Sequence, residues 1–531
     1  MAITVAGAFA DTAAAFEDLP FLIVPTPPTA QTDSYAGVLE KVVSLCERYA
    51  AAGYGHGHRV ALLLESRPEF FLHYLALNRL GISIVPINPD YRHDEMAYVL
   101  DHSEADLAVV LPHRLADVRA AAAASARPAP LVDALDMPAA LPRPVTPVRA
   151  GEPGLETECA LLYTSGTTGR PKGCMLSNLY FLTAGKTYLG LAGLIDIRRG
   201  EERFYNPLPL YHINNLAIMA TAVILSGNAT VLTDRFSPTR WWPEITASGA
   251  TIIHYLGVVA PMLLNQPPGP QDRAHRVRLG IGAGIEPQLH GAFEERFGFP
   301  MVEVWGMTET GRIMGDCHEP RLIDTRAFGR PAPAGLEARV VDGEDRDVPV
   351  GSDGELIIRH SAETPRYGFF SGYLKNEAAT EEVWRGGWFH TGDVVRQDAS
   401  GMLFFVDRKK HIIRRAGENI AAAEVEAVLQ AHEAVAQVAV LPVADEVREE
   451  EVLACVVLMP GFSAGPVLAG ALFDHCNARL AYFKAPGWLL FLDHLPTTGT
   501  QKVQKTQIFP AGEDPRERAG IRDLRARKKR G

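Results

Sequence analysis

Residues 163–173 read Tyr-Thr-Ser-Gly-Thr-Thr-Gly-Arg-Pro-Lys-Gly and follow an apolar run, Ala160-Leu161-Leu162, that reads as a buried strand. A strand that opens straight onto a glycine-rich loop suits a chain that holds an anion at the end of a sheet. The glycines let the backbone turn and approach a phosphate, the hydroxyls of Thr164, Ser165, Thr167 and Thr168 supply donors, and Lys172 supplies charge for a polyphosphate. The ordinary nucleotide loop ends in Gly-Lys-Ser/Thr. Here Gly169 is followed by Arg170 and Pro171, and Lys172 by Gly173, so this candidate phosphate loop is not the ordinary one. A Ser/Thr/Gly string alone is a turn, and residues elsewhere must decide between the two.

Those residues lie far apart. Val304-Trp305-Gly306-Met307-Thr308-Glu309-Thr310 gathers an aromatic plane, a glycine, a hydroxyl and a carboxylate. Trp388-Phe389-His390-Thr391-Gly392-Asp393 sets an acid after a tight turn. Asp407-Arg408-Lys409-Lys410, Arg415-Ala416-Gly417-Glu418-Asn419-Ile420 and Pro496-Thr497-Thr498-Gly499-Thr500-Gln501-Lys502-Val503 follow. In order and spacing the set resembles the adenylate-forming superfamily of acyl-CoA synthetases, peptide-synthetase adenylation domains and luciferases, over roughly residues 35 to 510. The run from Arg414 to Ile420 looks most like the carnitine/crotonobetaine-CoA ligase branch.

Bulk properties agree with an enzyme of that kind. A chain of 531 residues is too long for one core, and 47% hydrophobic with 22% charged residues argues against disorder. A net charge of −11 disfavours a general nucleic-acid binder. No basic leader or apolar run of spanning length is seen, so no membrane span and a cytoplasmic location are expected. The six cysteines are scattered without zinc spacing and read as buried hydrophobes in a reducing compartment.

Val60 to Leu64, Pro68 to Leu80 and Ile82 to Ile87 alternate as strand, helix and strand, which predicts βαβ units and a parallel sheet. Pro138 to Gly154 reads as a surface connection. Beyond Asp407–Lys410 a helix (Ala422 to His432), two strands (Val435 to Val443, Val452 to Met459) and a helix (Val467 to Leu480) make an α+β unit able to fold alone. The expected architecture is α/β, with a large multi-subdomain adenylation domain (1–409) and a small mobile α+β lid (410–531). The basic run from Arg516 to Gly531 reads as a solvated tail, with an anion or CoA contact as the alternative.

The resemblance implies ATP, Mg²⁺ and coenzyme A. A carboxylate would attack the α-phosphorus and expel pyrophosphate, and an external thiol would then take the acyl group. Thr164 and Glu309 would hold Mg²⁺, residues 164–169 and Lys172 would cradle the β- and γ-phosphates, and Thr308 would touch the α-phosphate. Trp305, where the family usually has tyrosine, would stack on adenine beside Val304, Gly306 and Met307. Asp393 would bind both ribose hydroxyls, with Arg408 reaching ribose or phosphate. Gly282-Ala283-Gly284 would allow close backbone approach to adenine or substrate. Lys502 would bridge carboxylate and α-phosphate, with Lys505 as its competitor. Lys410 would be the hinge, and Gly417 would line the pantetheine channel or simply start a helix.

The acyl group would lie among Tyr211, His212, Ile213, Asn214, Ala283, Gly306, Met307, Gly311 and Arg312, with His212 flipping against the carboxylate or packing. Because Asn214 and Arg312 are polar, a short to medium, polar or aromatic acid is expected. A stand-alone protein that loads an acyl carrier, and a nucleotide-binding pseudoenzyme, are the alternatives; a homodimer is admitted.

Overall fold

The structure, a computed structural model, describes residues 4–164, 171–257, 259–285, 287–331, 335–408, 412–496, 503, 505, 508–510 and 512–529. At 261, 288, 407, 408, 412, 419, 421 and 423 it describes the backbone alone. The chain divides into two compact units, residues 1–89, 99–162 and 173–409, and residues 90–98, 163–172 and 410–531. Among the described residues no helix is long and apolar enough to cross a membrane. All six cysteines are buried and none is in a disulfide.

Three sheets build the first unit. One runs in the order Gly372–Tyr373, Lys172–Ser177, Glu158–Thr164, Ser83–Pro86, Arg59–Leu63, Leu107–Val110, Leu131–Asp133. Arg59–Leu63 pairs in parallel with Ser83–Pro86 (Val60 with Ile84) and with Leu107–Val110. Val60, Ala61, Leu62 and Leu63 are all buried, as a strand covered on both faces by helices requires. Helix Pro68–Arg79 makes the first crossover, with proline at its start, where no N–H is needed. It buries Phe70, Phe71, Tyr74 and Leu75, worth about 1.5–3 kcal/mol each in removed apolar surface. Residues 134–157 run as an irregular connection in which Val145 and Val148 are exposed.

The second sheet positions the site. Its order is Ile313–Gly315, Met301–Gly306, Leu279–Ala283, Ile252–Leu256, Arg203–Tyr205, Ala229–Val231, Pro20–Thr26, Thr29–Ser34. The strands from Met301–Gly306 to Pro20–Thr26 are parallel neighbours. Their carboxyl ends therefore open on one edge, where ligands of parallel sheets bind. Chain leaving 205, 256, 283 and 306 is gathered there although the segments are distant in sequence.

The third sheet is antiparallel: Ala327–Gly329, Leu403–Arg408, Phe389–Gln397, Asp353–Arg359, Glu337–Val341. Between Glu355, opposite Val394, and Ile357, opposite His390, the register slips and Thr391-Gly392-Asp393 bulges out.

In the second unit Glu449–Leu458 pairs with Val435–Asp445, Ile412–Arg415 and Trp488–Phe491, and helices Ala422–Gln430 and Pro466–Arg479 cover a core that includes Val425, Leu429, Leu472 and Phe473. The expected solvated tail is a folded part of this unit. Arg522–Asp523 adds an antiparallel strand to Trp488–Phe491, and Leu524 enters the core. Arg525 pairs with Asp445 at 3.0 Å, Arg527 with Asp474 at 2.8 Å, and Lys528 with the buried Glu451. The basic run is basic because this unit has acids waiting for it.

Candidate active site

Strand Met301–Gly306 delivers two groups to the open edge. Glu303 accepts from the Tyr255 hydroxyl at 2.7 Å and from the N–H groups of Gly284 at 2.8 Å and Ile285 at 3.2 Å. It thereby ties the turn 283–285 to the next strand. The enclosing protein desolvates this carboxyl and raises its pKa, against the pull of those three donors. Gly282 is glycine for a packing reason: a Cβ there would collide with the Tyr255 carbonyl and ring. Gly284 takes φ 85°, a left-handed turn suited to glycine. The close approach expected of Gly282 is thus to Tyr255. Gly284 and Gly306 are exposed, and Ala283, Met307 and Thr308 are half-buried, which marks the accessible face of this edge.

Trp305 and Asp393 form a pair. The indole N–H donates to Asp393 Oδ2 at 2.9 Å, and Phe328 stacks on the indole at 6.1 Å between centroids. With 7% of Trp305 and 2% of Asp393 exposed, the indole acts here as a hydrogen-bond brace as well as an aromatic surface. The bulge that aims Asp393 is pinned by Glu355. This carboxylate accepts from Gly392 N–H at 3.1 Å and stands 3.2 Å from His390 Nδ1, while the Thr391 hydroxyl donates to Leu356 O at 2.6 Å. Gly392 at φ 71° makes the turn.

After Trp305 the chain turns through Met307–Gly311, with Thr310 N–H on Met307 O at 3.1 Å. The Tyr180 hydroxyl holds Thr308 O at 2.7 Å, and the Tyr373 hydroxyl donates to Glu309 Oε1 at 2.8 Å. Glu309 is 8% exposed and forms no ion pair among the described residues. A buried carboxylate in that state is a strong attractor for a cation. Among the described residues no group of three His, Cys, Asp or Glu could hold a metal by itself, so a metal at Glu309 would need oxygens from other sources.

Arg312 does not line an acyl pocket. Its guanidinium bonds to the carbonyls of Gly335 at 2.9 Å, Gly368 at 3.1 Å and Tyr367 at 2.7 Å and lies over Phe369. Burial brings its pKa down to about 10. Gly311, at φ 59°, backs onto the Tyr180 ring, where a Cβ would clash. Both positions hold the fold of the turn, so of the polar pair Asn214 and Arg312 expected around the acyl group, Arg312 is committed to main-chain carbonyls instead.

Tyr211, His212, Ile213 and Asn214 leave the Arg203–Tyr205 strand and are all half-buried, with the Tyr211 and His212 rings 4.6 Å apart. Asn214 opens a π-helical turn, Asn214–Met219, a feature that gathers at functional sites. Thr164 ends its strand and Lys172 begins the next; Ser165, Gly166, Thr167, Thr168 and Gly169 lie outside the described residues. Lys410 and Lys502 lie outside them too, as does the Arg408 side chain, whose backbone pairs with Asp393. Gly417, at φ 87°, follows Ala416 in the turn of a hairpin between Ile412–Arg415 and Glu418–Ala421, so it does not start a helix. The competitor Lys505 is committed to Glu426 at 2.6 Å.

Sequence reasoning missed Glu303, Glu355, Tyr180, Tyr255 and Tyr373. A carboxylate in the apolar strand Met-Val-Glu-Val-Trp was a legible signal for Glu303; the tyrosines gave none.

The family profile described as AMP-binding enzyme matches residues 9–374, and the AMP-binding enzyme C-terminal domain matches residues 424–502. The sulfoacetate–CoA ligase of Cupriavidus necator is 31% identical, with 95% of this chain and 97% of that one covered. The crotonobetaine/carnitine–CoA ligase of Salmonella paratyphi A is 29% identical, with 90% and 92% covered. Among solved structures the amide bond synthetase McbA from Marinactinospora thermotolerans matches with a TM-score of 0.81 at 25% identity, over 95% of this chain and 99% of that one. By its sequence over both regions and by its two-domain fold, the chain belongs to the AMP-binding enzymes of the adenylate-forming superfamily.

Proposed function

We propose that this chain is an ATP-dependent acid–CoA ligase: a carboxylate and ATP give an acyl-adenylate and pyrophosphate, and the CoA thiol then gives the thioester and AMP. The observation that carries the reading is Glu309, a buried carboxylate with no cationic partner among the described residues, one turn from the Trp305–Asp393 brace. A magnesium nucleotide brings the missing positive charge. Glu309 and Thr164 would hold Mg²⁺, which neutralises charge on the phosphoryl oxygens. Asp393 accepts the ribose hydroxyls, held in place by the indole N–H. The main chain of 283–284 and 306–308 borders the acid.

Lys502 supplies the mobile charge at the reacting carboxylate, and Lys410 is the hinge between domains 1–409 and 410–531. The lysine contact stabilises the adenylation transition state by charge alone, a role suited to a flexible ammonium. The reaction belongs in the cytoplasm, where ATP and CoA are supplied. Relatives named for sulfoacetate and for crotonobetaine/carnitine support a short, polar acid.

The test is acid-dependent pyrophosphate release across a panel of acids, followed by thioester formation with CoA or with a carrier phosphopantetheine. Lys502→Ala should lower pyrophosphate release about 10²-fold or more while still converting a supplied acyl-adenylate and CoA to thioester. Unchanged adenylation in that variant would remove Lys502 from the mechanism.

A further inference from the structure

Behind Asn214 runs a line of buried polar groups whose donors and acceptors are fixed from the backbone outward. Leu208 N–H donates to Asn206 Oδ1 at 3.0 Å, so the other end of Asn206, its amide nitrogen, faces Asn214 and donates to Asn214 Oδ1 at 3.1 Å. His254 Nδ1 stands 2.9 Å from that same oxygen. An acceptor on this side requires the proton on Nδ1, which leaves Nε2 to accept from the Tyr188 hydroxyl at 2.9 Å. Burial keeps His254 neutral, with its pKa brought down to about 3.

Tyr188, Asn206 and His254 are buried to within 1% exposure, and Asn214 alone in the line is half-buried. The four come from helix Asn178–Leu189, the end of strand Arg203–Tyr205, the π-helical turn and strand Ile252–Leu256. Every link has one permitted direction. The inward half of the Asn214 amide is its oxygen, saturated by two donors, and no described residue takes its nitrogen.

We propose that Asn214 is a specificity-determining donor in the acyl site, that Tyr188 and His254 are its positioning residues, and that the acid it selects carries an acceptor oxygen beyond the reacting carboxylate. The inference rests on the acid-activation reading above. An amide N–H₂ held outward rewards a carbonyl, ether, carboxylate or sulfonate oxygen. It offers nothing to an alkyl group and disfavours a quaternary ammonium, because it presents the positive end of its dipole. Sites built to bond a substrate group reject analogues that lack it, since the buried donor is then left unmatched.

Matched acids test this: levulinate against 4-methylpentanoate, methoxyacetate against butanoate, 3-acetylbenzoate against 3-isopropylbenzoate, and 4-(trimethylammonio)butanoate against 5,5-dimethylhexanoate, each by acid-dependent pyrophosphate release. The full-length enzyme should favour the oxygen-bearing acid by about ten-fold in kcat/KM in at least one of the first three pairs. Asn214→Asp keeps the acceptor for Asn206 and His254 and replaces only the outward donor. It should erase that preference and raise the ammonium acid relative to its neutral partner. Tyr188→Phe should lower the acceptor preference while leaving the apolar acids within about two-fold. Equal loss on both members of each pair would assign Tyr188 to packing and overturn the relay. No acceptor preference in the wild type, or an unchanged one in Asn214→Asp, overturns the donor and leaves acid activation standing. No pyrophosphate release with any acid brings down the reading and the donor together.

Discussion

Trp305 stands where the resembled family has tyrosine, and the structure gives its indole N–H a specific task at Asp393, 2.9 Å away. A hydrogen bond to a charged acceptor contributes about 1.5–3 kcal/mol. If Asp393 holds the ribose, Trp305→Phe keeps an aromatic face but removes one donor from the carboxylate. The expected outcome is a KM for ATP raised about ten-fold with kcat within two-fold, since the ribose contact is made equally in ground and transition states. Pyrophosphate release at varied ATP measures it, and an unchanged KM would confine the indole to packing against Phe328. Residue by residue, legibility followed locality. Trp305, Glu309 and Asp393 could be singled out because each sits in a short stretch that gathers aromatic, hydroxyl and carboxylate groups, and the structure gives them partners in Asp393, Tyr373 and the indole N–H. Arg312 was misplaced because its partners, Gly335, Tyr367 and Gly368, lie 23 to 56 positions away, and nothing near it in sequence announces them.

Apolar elements were plain in the sequence, helix Ala422–Gln430 and strand Glu449–Leu458 among them, because burial of an apolar run is a property of the segment itself; the strand is buried without a break from Glu451 to Val456. The tail was not. Its charges look solvated until Asp445, Asp474 and Glu451 are brought to them by folding. Lys528 carries the testable part. Burial first, and the neighbouring Arg415 second, bring this lysine down to about 7, with Glu451 pulling the other way. The unfolded chain keeps the proton up to the ordinary lysine range and the folded chain releases it near 7. Between those values the unfolded state binds more protons, so stability rises with pH. From pH 7 to 9 the wild type should gain up to about 2 kcal/mol relative to Lys528→Met, which has no such titration. Denaturant unfolding of the full chain at each pH checks this, and parallel pH profiles for the two proteins would contradict it.

At the scale of the whole molecule, the chain passes between the two units several times, and its last crossing lies between two sheets. Strand Leu403–Arg408 is held to Phe389–Gln397 up to the pairing of Asp393 with Arg408, the second unit's sheet begins at Ile412, and the division between units falls at 409/410. Three residues, 409–411, therefore lie between two hydrogen-bonded strands. If the domain beyond 409 rotates, as the resemblance implies, Lys410 is proposed as its pivot, because turning inside either flanking strand would break ladder bonds. Lys410→Pro fixes φ near about −65° at that position and removes one N–H. If adenylation uses one domain orientation and thioester formation another, a fixed φ that suits the first blocks the second. The variant should keep acid-dependent pyrophosphate release within about three-fold and lose thioester formation by about 10²-fold, a split that general misfolding cannot produce. Thermal melting of the variant guards the inference: a wild-type transition with both half-reactions equally impaired would move the pivot away from Lys410, whereas a selective loss of the second places it there.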